Sequence, residues 1–156
     1  MSIQVRDLTV SNDTANLQQV RAFVADAISE SELTPRARVL LVLAADEAVT
    51  SIIRNAVRVA GGGSGNGLCH VSVDVDATRV RIVIDDSGAD PDLTVLSDAD
   101  LQKHIAETRQ NEIGIFLIRA IVDEINYVYR KGFQNQLEII KFVLPETPPN
   151  GSAARR

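Results

Sequence analysis

Three places in the 156-residue sequence carry residue types whose spacing could do chemistry. The first is Glu47, a carboxylate in the middle of a run that otherwise reads as a buried helix. Burying an unpaired charge is costly, so such a group is hydrogen-bonded, paired, raised in pKa, or turned toward a functional site. The structural alternatives are a salt bridge to Arg54, two turns on along the same face, or a hydrogen bond from the Ser51 hydroxyl. The second is Asp86 with Gly88. An aspartate at a strand end can accept from an amino group, and a glycine two residues on lets a flat ligand approach the backbone; the same pattern also makes an ordinary turn. The third is Gly114, just before a helix, where unpaired N–H groups and the helix dipole can hold a phosphate, or where a helix simply starts.

Hydrophobic periodicity outlines the elements that must position these residues. Ile3 to Val10 alternates imperfectly and predicts a first strand with Ile3, Val5 and either Leu8 or Val10 facing inward. Ser11 or Asp13 is placed to cap a helix whose apolar positions are Leu17, Val20, Phe23, Val24, Ala27 and Ile28. Thr34 as cap, Pro35 at the first helical position and Gly61 as stop delimit a long helix from Thr34 to Ala60. Its first half, Val39 to Ala45, is apolar on every side and predicts burial all round. Further along, Glu47, Ser51, Arg54, Asn55 and Arg58 gather into one polar stripe at ~100° per residue.

Gly61 to Gly67 reads as a flexible connector, since no Gly-Lys-Ser/Thr follows and a strand comes next. Cys69, Val71, Val73 and Val75 alternate with polar residues, as do Val80, Ile82 and Ile84 after a short turn, which predicts an antiparallel hairpin with one wet face. The turn formers of Asp85 to Asp92 close it, a loop with a short helix runs to about Arg109, and a helix follows Gly114. Two more strands are predicted over Ile125 to Arg130 and Leu137 to Leu144. The order predicts an α+β fold: a two-layer sandwich with a mixed, mostly antiparallel sheet and helices on one face, spanning residues 1–144 as one domain. Residues 145–156, rich in Pro, Gly and Ser, are expected to be a flexible tail.

Composition narrows the activities. Hydrophobic residues are 45% and charged residues 24%, as in a globular domain. One cysteine, Cys69, and two histidines leave no soft ligand set for zinc and no internal disulfide. The net charge of −5 disfavours direct nucleic-acid contact. No run is long enough to span a membrane and the amino terminus carries no basic-then-apolar leader, so a cytoplasmic protein is expected. Cys69 alternates toward the core as a small apolar group. His104 fits a solvent-exposed position on a short helix, and Arg109 either pairs with a phosphate or lies on the surface.

The ordered combination of an acidic residue on a long helix, a hairpin ending in Asp-x-Gly, a lid-like loop and a glycine at a helix start resembles the GHKL (Bergerat-fold) ATPase superfamily. Within it, the chain resembles the single-domain RsbW-type anti-sigma factors, which are also serine/threonine protein kinases, over roughly residues 3 to 144. Glu47-Ala48-Val49-Thr50-Ser51 matches the family's Glu-Ala-Val-Thr-Asn except at Ser51. Asp86-Ser87-Gly88-Ala89-Asp90 keeps the aspartate and first glycine of Asp-x-Gly-x-Gly, with Asp90 at the second glycine. Glu112-Ile113-Gly114-Ile115-Phe116-Leu117-Ile118 keeps the second glycine and the apolar run of the third motif, with Glu112 at its first glycine.

The resemblance implies ATP and Mg²⁺ as cofactors. It implies that Glu47 activates the attacking hydroxyl, that Ser51 stands at the metal position, and that Asp86 and Gly88 bind adenine, with Gly114, Asn55 and Arg109 completing the nucleotide site. It implies a sigma factor or an anti-sigma-factor antagonist as partner, the antagonist being phosphorylated on serine or threonine, and a possible homodimer. The departures Ser51, Asp90 and Glu112 fall on the phosphate and metal side, and two added carboxylates there repel a triphosphate. A second reading therefore keeps the fold and the protein-binding surface with a degenerate ATP site. A third, the ATPase domain of a sensor histidine kinase, is the weakest, as no helical hairpin with a phosphorylatable histidine precedes the domain.

Overall fold

The computed structural model describes residues 3–63, 65, 67–87, 118–128 and 135–144. The chain enters through β1 (Gln4–Ser11) and a single 3₁₀ turn (Thr14–Asn16), whose first N–H groups are capped by the Asp13 carboxylate accepting from Ala15 N at 2.9 Å. It continues into α1 (Leu17–Ile28) and α2 (Pro35–Val59). The Thr34 hydroxyl accepts from the Ala37 N–H at 3.1 Å, so α2 starts where its cap and first-turn proline set it. Then come β2 (Leu68–Val75), β3 (Arg79–Ser87), β4 (Glu124–Val128) and β5 (Asn135–Phe142). Residues 118–121 are helical and lead into β4.

The strands form one sheet in the order β1-β2-β3-β5-β4, and each of its four ladders is antiparallel. Register decides which side chains meet the helices. Val10 pairs with Cys69, Cys69 with Asp86, Val71 with Ile84, Val73 with Ile82 and Ile82 with Ile139, which makes one continuous apolar face. On this face Val71, Val73, Ile82, Ile84 and Ile139 are buried against Val20, Val24 and Ile28 of α1 and Leu41, Val49 and Ile53 of α2. The helices thus lie on one side of the sheet, and the architecture is the two-layer α+β sandwich expected. Among the described residues no helix is long and apolar enough to cross a membrane.

Two expectations about burial fail, for identifiable reasons. Ile3 and Val5 are exposed, while Leu8 and Val10 turn toward the core. Register puts Leu8 opposite Val71, so the other parity of this edge strand looks away from the helices. Arg6 shares the inward parity, and its guanidinium pairs with Asp26 of α1 at 2.6 Å and lies 5.7 Å from the centre of the Phe23 ring. In α2, Val39 is 69% exposed and Leu43 40%. The helix buries the stripe Leu41, Ala44, Ala45, Ala48, Val49, Ile53 and Ala56, and a helix in a two-layer fold covers the sheet with one side only.

The face of the sheet away from the helices carries a cross-strand row of polar groups. Arg81 of β3 donates to Asp74 of β2 and, through Nε, to Glu138 of β5, and Asn126 of β4 donates to Glu138 at 2.9 Å. The Asn126 amide first, and then the Arg81 guanidinium, hold the Glu138 carboxyl below its ordinary range. A depressed carboxylate contributes stability that is present above the unfolded-chain pKa and lost as pH falls through the folded one. Glu138→Gln is therefore expected to cost about 1 kcal/mol at neutral pH, with the difference from the parent chain shrinking below about pH 4. Urea unfolding as a function of pH measures this; a constant difference across the acid range would show that the row does not act through the carboxylate charge.

Candidate nucleotide-binding site

Asp86 is fixed by strand geometry. β3 runs on to Ser87, so Asp86 lies at the strand end expected from sequence and still within the ladder, paired with Cys69 on one side and Asn135 on the other. Alternation along Val80, Ile82, Ile84 and Asp86 aims its carboxylate at the helix layer. The residue is only 7% exposed and accepts from Asn12 Nδ2 at 3.1 Å. A carboxylate buried at the end of an apolar face must have such a donor.

Cys69, beside Asp86 on the same face, is a free and buried thiol. Burial first, and then the charges of Asp86 and Asp85, push its pKa up to about 12. It packs as the small apolar residue the alternation predicts.

Glu47 and Ser51 sit one turn apart on α2, both half-buried. Asp46, the neighbour of Glu47, turns the other way and pairs with Arg21 of α1 at 3.1 Å. At ~100° per residue, the α1 contact at Asp46 and the position of Ser51 flank the buried stripe on opposite sides, with Glu47 just outside Ser51. Among the described residues neither Arg54, which is exposed, nor Ser51 binds Glu47 through an ion pair or hydrogen bond. Partial exposure removes the need for a buried partner that the sequence reading invoked. Asn55 lies one turn beyond Ser51 on the helix, and its side chain is outside the described residues, as are Gly88, Gly114, Arg109, His104, Asp90 and Glu112.

The connector after α2 links the two halves of this region. Gly65 N donates to Asn12 O at 2.7 Å, and a Cβ at Gly65 would lie 2.8 Å from the Ala56 Cβ. The Asn12–Asp86 pair thus sits beside the second half of α2 at the level of Ala56. Glu47 is nine residues earlier on the same helix, roughly 13 Å along the axis. Asn12 is the residue the sequence reading missed. An asparagine between a strand and a turn looks like any turn former, and its partner lies far along the chain.

Residues 10–141 match the family described as the histidine kinase-like ATPase domain. The chain belongs to this family. The match runs from the end of β1 almost to the end of β5, so the GHKL superfamily assignment rests on most of the chain and on the fold together. Comparison with curated proteins returns no match.

In this ATPase-type domain the thiol of Cys69 gives a direct check on how dry the Asp86 face is. A raised acid pKa means that the folded chain holds its proton longer than the unfolded one: the stability so gained is complete below about pH 9 and is lost as pH rises toward about 12. Cys69→Ala is expected to flatten the alkaline limb of the stability curve, and iodoacetamide at pH 8 should label Cys69 only after unfolding. Rapid labelling of the folded chain would mean that the Asp86 face is open at this point.

Proposed function

We propose that this chain is an ATP-binding partner-switching regulator of the RsbW type, which phosphorylates an antagonist protein on serine or threonine and holds either that antagonist or a sigma factor. The observation that carries the reading is Asp86: a buried carboxylate on the helix-facing side of the sheet, oriented by a donor, at the strand position where the superfamily binds adenine. Such a group accepts a hydrogen bond from an exocyclic amine and repels a ring carbonyl at the same place. The fit on this side is good. Glu47 and Ser51 occupy the flank of α2 away from α1, roughly 13 Å and roughly 8 Å along the helix axis from the Ala56 level.

Ser51 would hold Mg²⁺ through its hydroxyl oxygen, and the bound ion would neutralise charge on the phosphates. Glu47 would accept the proton of the attacking serine or threonine hydroxyl as its oxygen bonds to the γ-phosphorus and the bond to the β-phosphate oxygen breaks, releasing ADP. A second reading, a protein-binding module with a weakened nucleotide site, draws on Ser51, Asp90 and Glu112. A serine hydroxyl reaches less far than the asparagine amide of the motif, and acidic residues stand at two of the motif's glycine positions, where added negative charge would oppose a triphosphate.

Calorimetric titration with ATP and Mg²⁺ separates the two. Under the first reading the parent chain releases binding heat, Asp86→Ala weakens binding by about 10- to 100-fold, and Ser51→Asn strengthens the magnesium-dependent part. No heat at millimolar ATP removes the kinase reading and leaves the binding module. An unchanged titration for Ser51→Asn would show that position 51 does not meet the metal.

A further inference from the structure

We propose that Asn12 is a positioning residue that sets the plane of the Asp86 carboxylate for the 6-amino group of adenine, and that the glycine-rich connector is the brace that holds Asn12 in place. The inference rests on the reading of Asp86 as the adenine-binding carboxylate.

Asn12 has no exposed surface, and three of its groups are engaged by separate parts of the fold. Its N–H donates to Gly67 O at 3.2 Å, its carbonyl accepts from Gly65 N at 2.7 Å, and its side-chain Nδ2 donates to Asp86 Oδ1 at 3.1 Å. Both backbone bonds go to the connector, so the segment between α2 and β2 is tied across the end of β1. Gly65 is a glycine here because of close approach. A Cβ would stand 2.8 Å from the Ala56 Cβ, 2.9 Å from the Ala56 carbonyl carbon and 3.0 Å from Asn12 O, and two of those three are backbone atoms. Ala56 is itself buried in the helix face. The end of β1, the connector and α2 therefore meet at Asn12, and a shift in any of them moves the amide that touches Asp86.

The choice of an amide has a chemical consequence. A carboxylate offers about four acceptor positions, so the Asn12 donor on Oδ1 takes one of them and helps to fix the rotation of the group. An amide is neutral, so Asp86 keeps its charge and remains a strong acceptor; an arginine or lysine there would neutralise it. Fixed in this way, Asp86 favours a base that presents an amine at position 6 and disfavours one that presents a carbonyl.

The test is calorimetry on the full chain with two magnesium nucleotides: ATP, and purine riboside triphosphate, which lacks the 6-amino group. Asn12→Ala should lower ATP affinity about tenfold while leaving the purine riboside nucleotide unchanged, because only ATP uses the acceptor that Asn12 orients. Asn12→Asp, of the same shape, places a second carboxylate against Asp86, so that the two share a proton. Its ATP affinity should then rise as pH falls, more steeply than that of the parent chain. Equal losses for both nucleotides, or a parallel pH profile for Asn12→Asp, would overturn the positioning role and leave Asn12 as a structural tie. Should Asn12→Ala fail to fold, the Asn12→Asp profile and the ATP-selective loss expected of Gly65→Ala decide the matter by the same criteria. Asp86→Ala separates this proposal from the reading beneath it. If that variant binds ATP like the parent, the adenine site is elsewhere and both fall; if it loses ATP while Asn12→Ala does not discriminate, only the role of Asn12 falls.

Discussion

A charged carboxylate at the end of an otherwise apolar sheet face is the constraint around which this domain is arranged. Asp86 follows Val80, Ile82 and Ile84 on the side that meets the helices, where an unpaired charge would be strongly unfavourable. The Asn12 amide meets that need at 3.1 Å, and it is available only because the connector after α2 folds back across the end of β1. The thiol at Cys69 registers the same environment: its pKa rises because the face is dry and because Asp86 and Asp85 are close. Natural cores seldom keep such a group without a use for it, and the superfamily has one in the recognition of an amine on a purine.

The long helix divides the remaining work between its sides. Leu41, Ala44, Ala45, Ala48, Val49, Ile53 and Ala56 cover the sheet, and their small size in the middle of the helix lets the backbone lie close to β3. Asp46 commits one border to α1 through Arg21, which leaves Glu47 and Ser51 on the border that α1 does not cover. A carboxylate and a hydroxyl one turn apart on that border are spaced as the superfamily's acid–amide pair is, with the shorter side chain at the second position.

Much of this was legible in the sequence, because it is encoded in local signals. Thr34 and Pro35 announce the start of α2, the alternation from Cys69 to Val75 and from Val80 to Ile84 announces the hairpin, and Asp86 stands out as an aspartate at its strand end two residues before a glycine. What escaped depends on tertiary position. Ile3 and Val5 look like core residues, yet the parity of an edge strand is set by its partner, here by Leu8 opposite Val71. Val39 and Leu43 lie in an apolar run, yet one face of a helix in a two-layer fold remains uncovered. Asn12 carries no local mark, since its meaning comes from Asp86, Gly65 and Gly67, all far away in sequence.

The contrast between the two ends of the site bears on what the domain can do with a nucleotide. If Asp86 is the adenine acceptor, as proposed, it is already buried, oriented and braced by three elements, so little ordering remains to be done when a base arrives. On the phosphate side of that reading the motif carries Ser51, a short ligand, in place of asparagine, and acidic residues in place of two of its glycines. Base recognition and phosphate recognition contribute separately to affinity, and only the second also governs phosphoryl transfer, which depends on charge neutralisation at the phosphates. A domain weighted toward the base would bind ADP and ATP with similar affinity. Since a ligand shifts a conformational equilibrium only by its differential affinity for the two states, such a domain would respond to the presence of adenine nucleotide more than to its phosphorylation state. Under the proposed function, kinase and nucleotide-gated binder are therefore two settings of one architecture, and the balance between them lies in the residues at the phosphate-side motif positions.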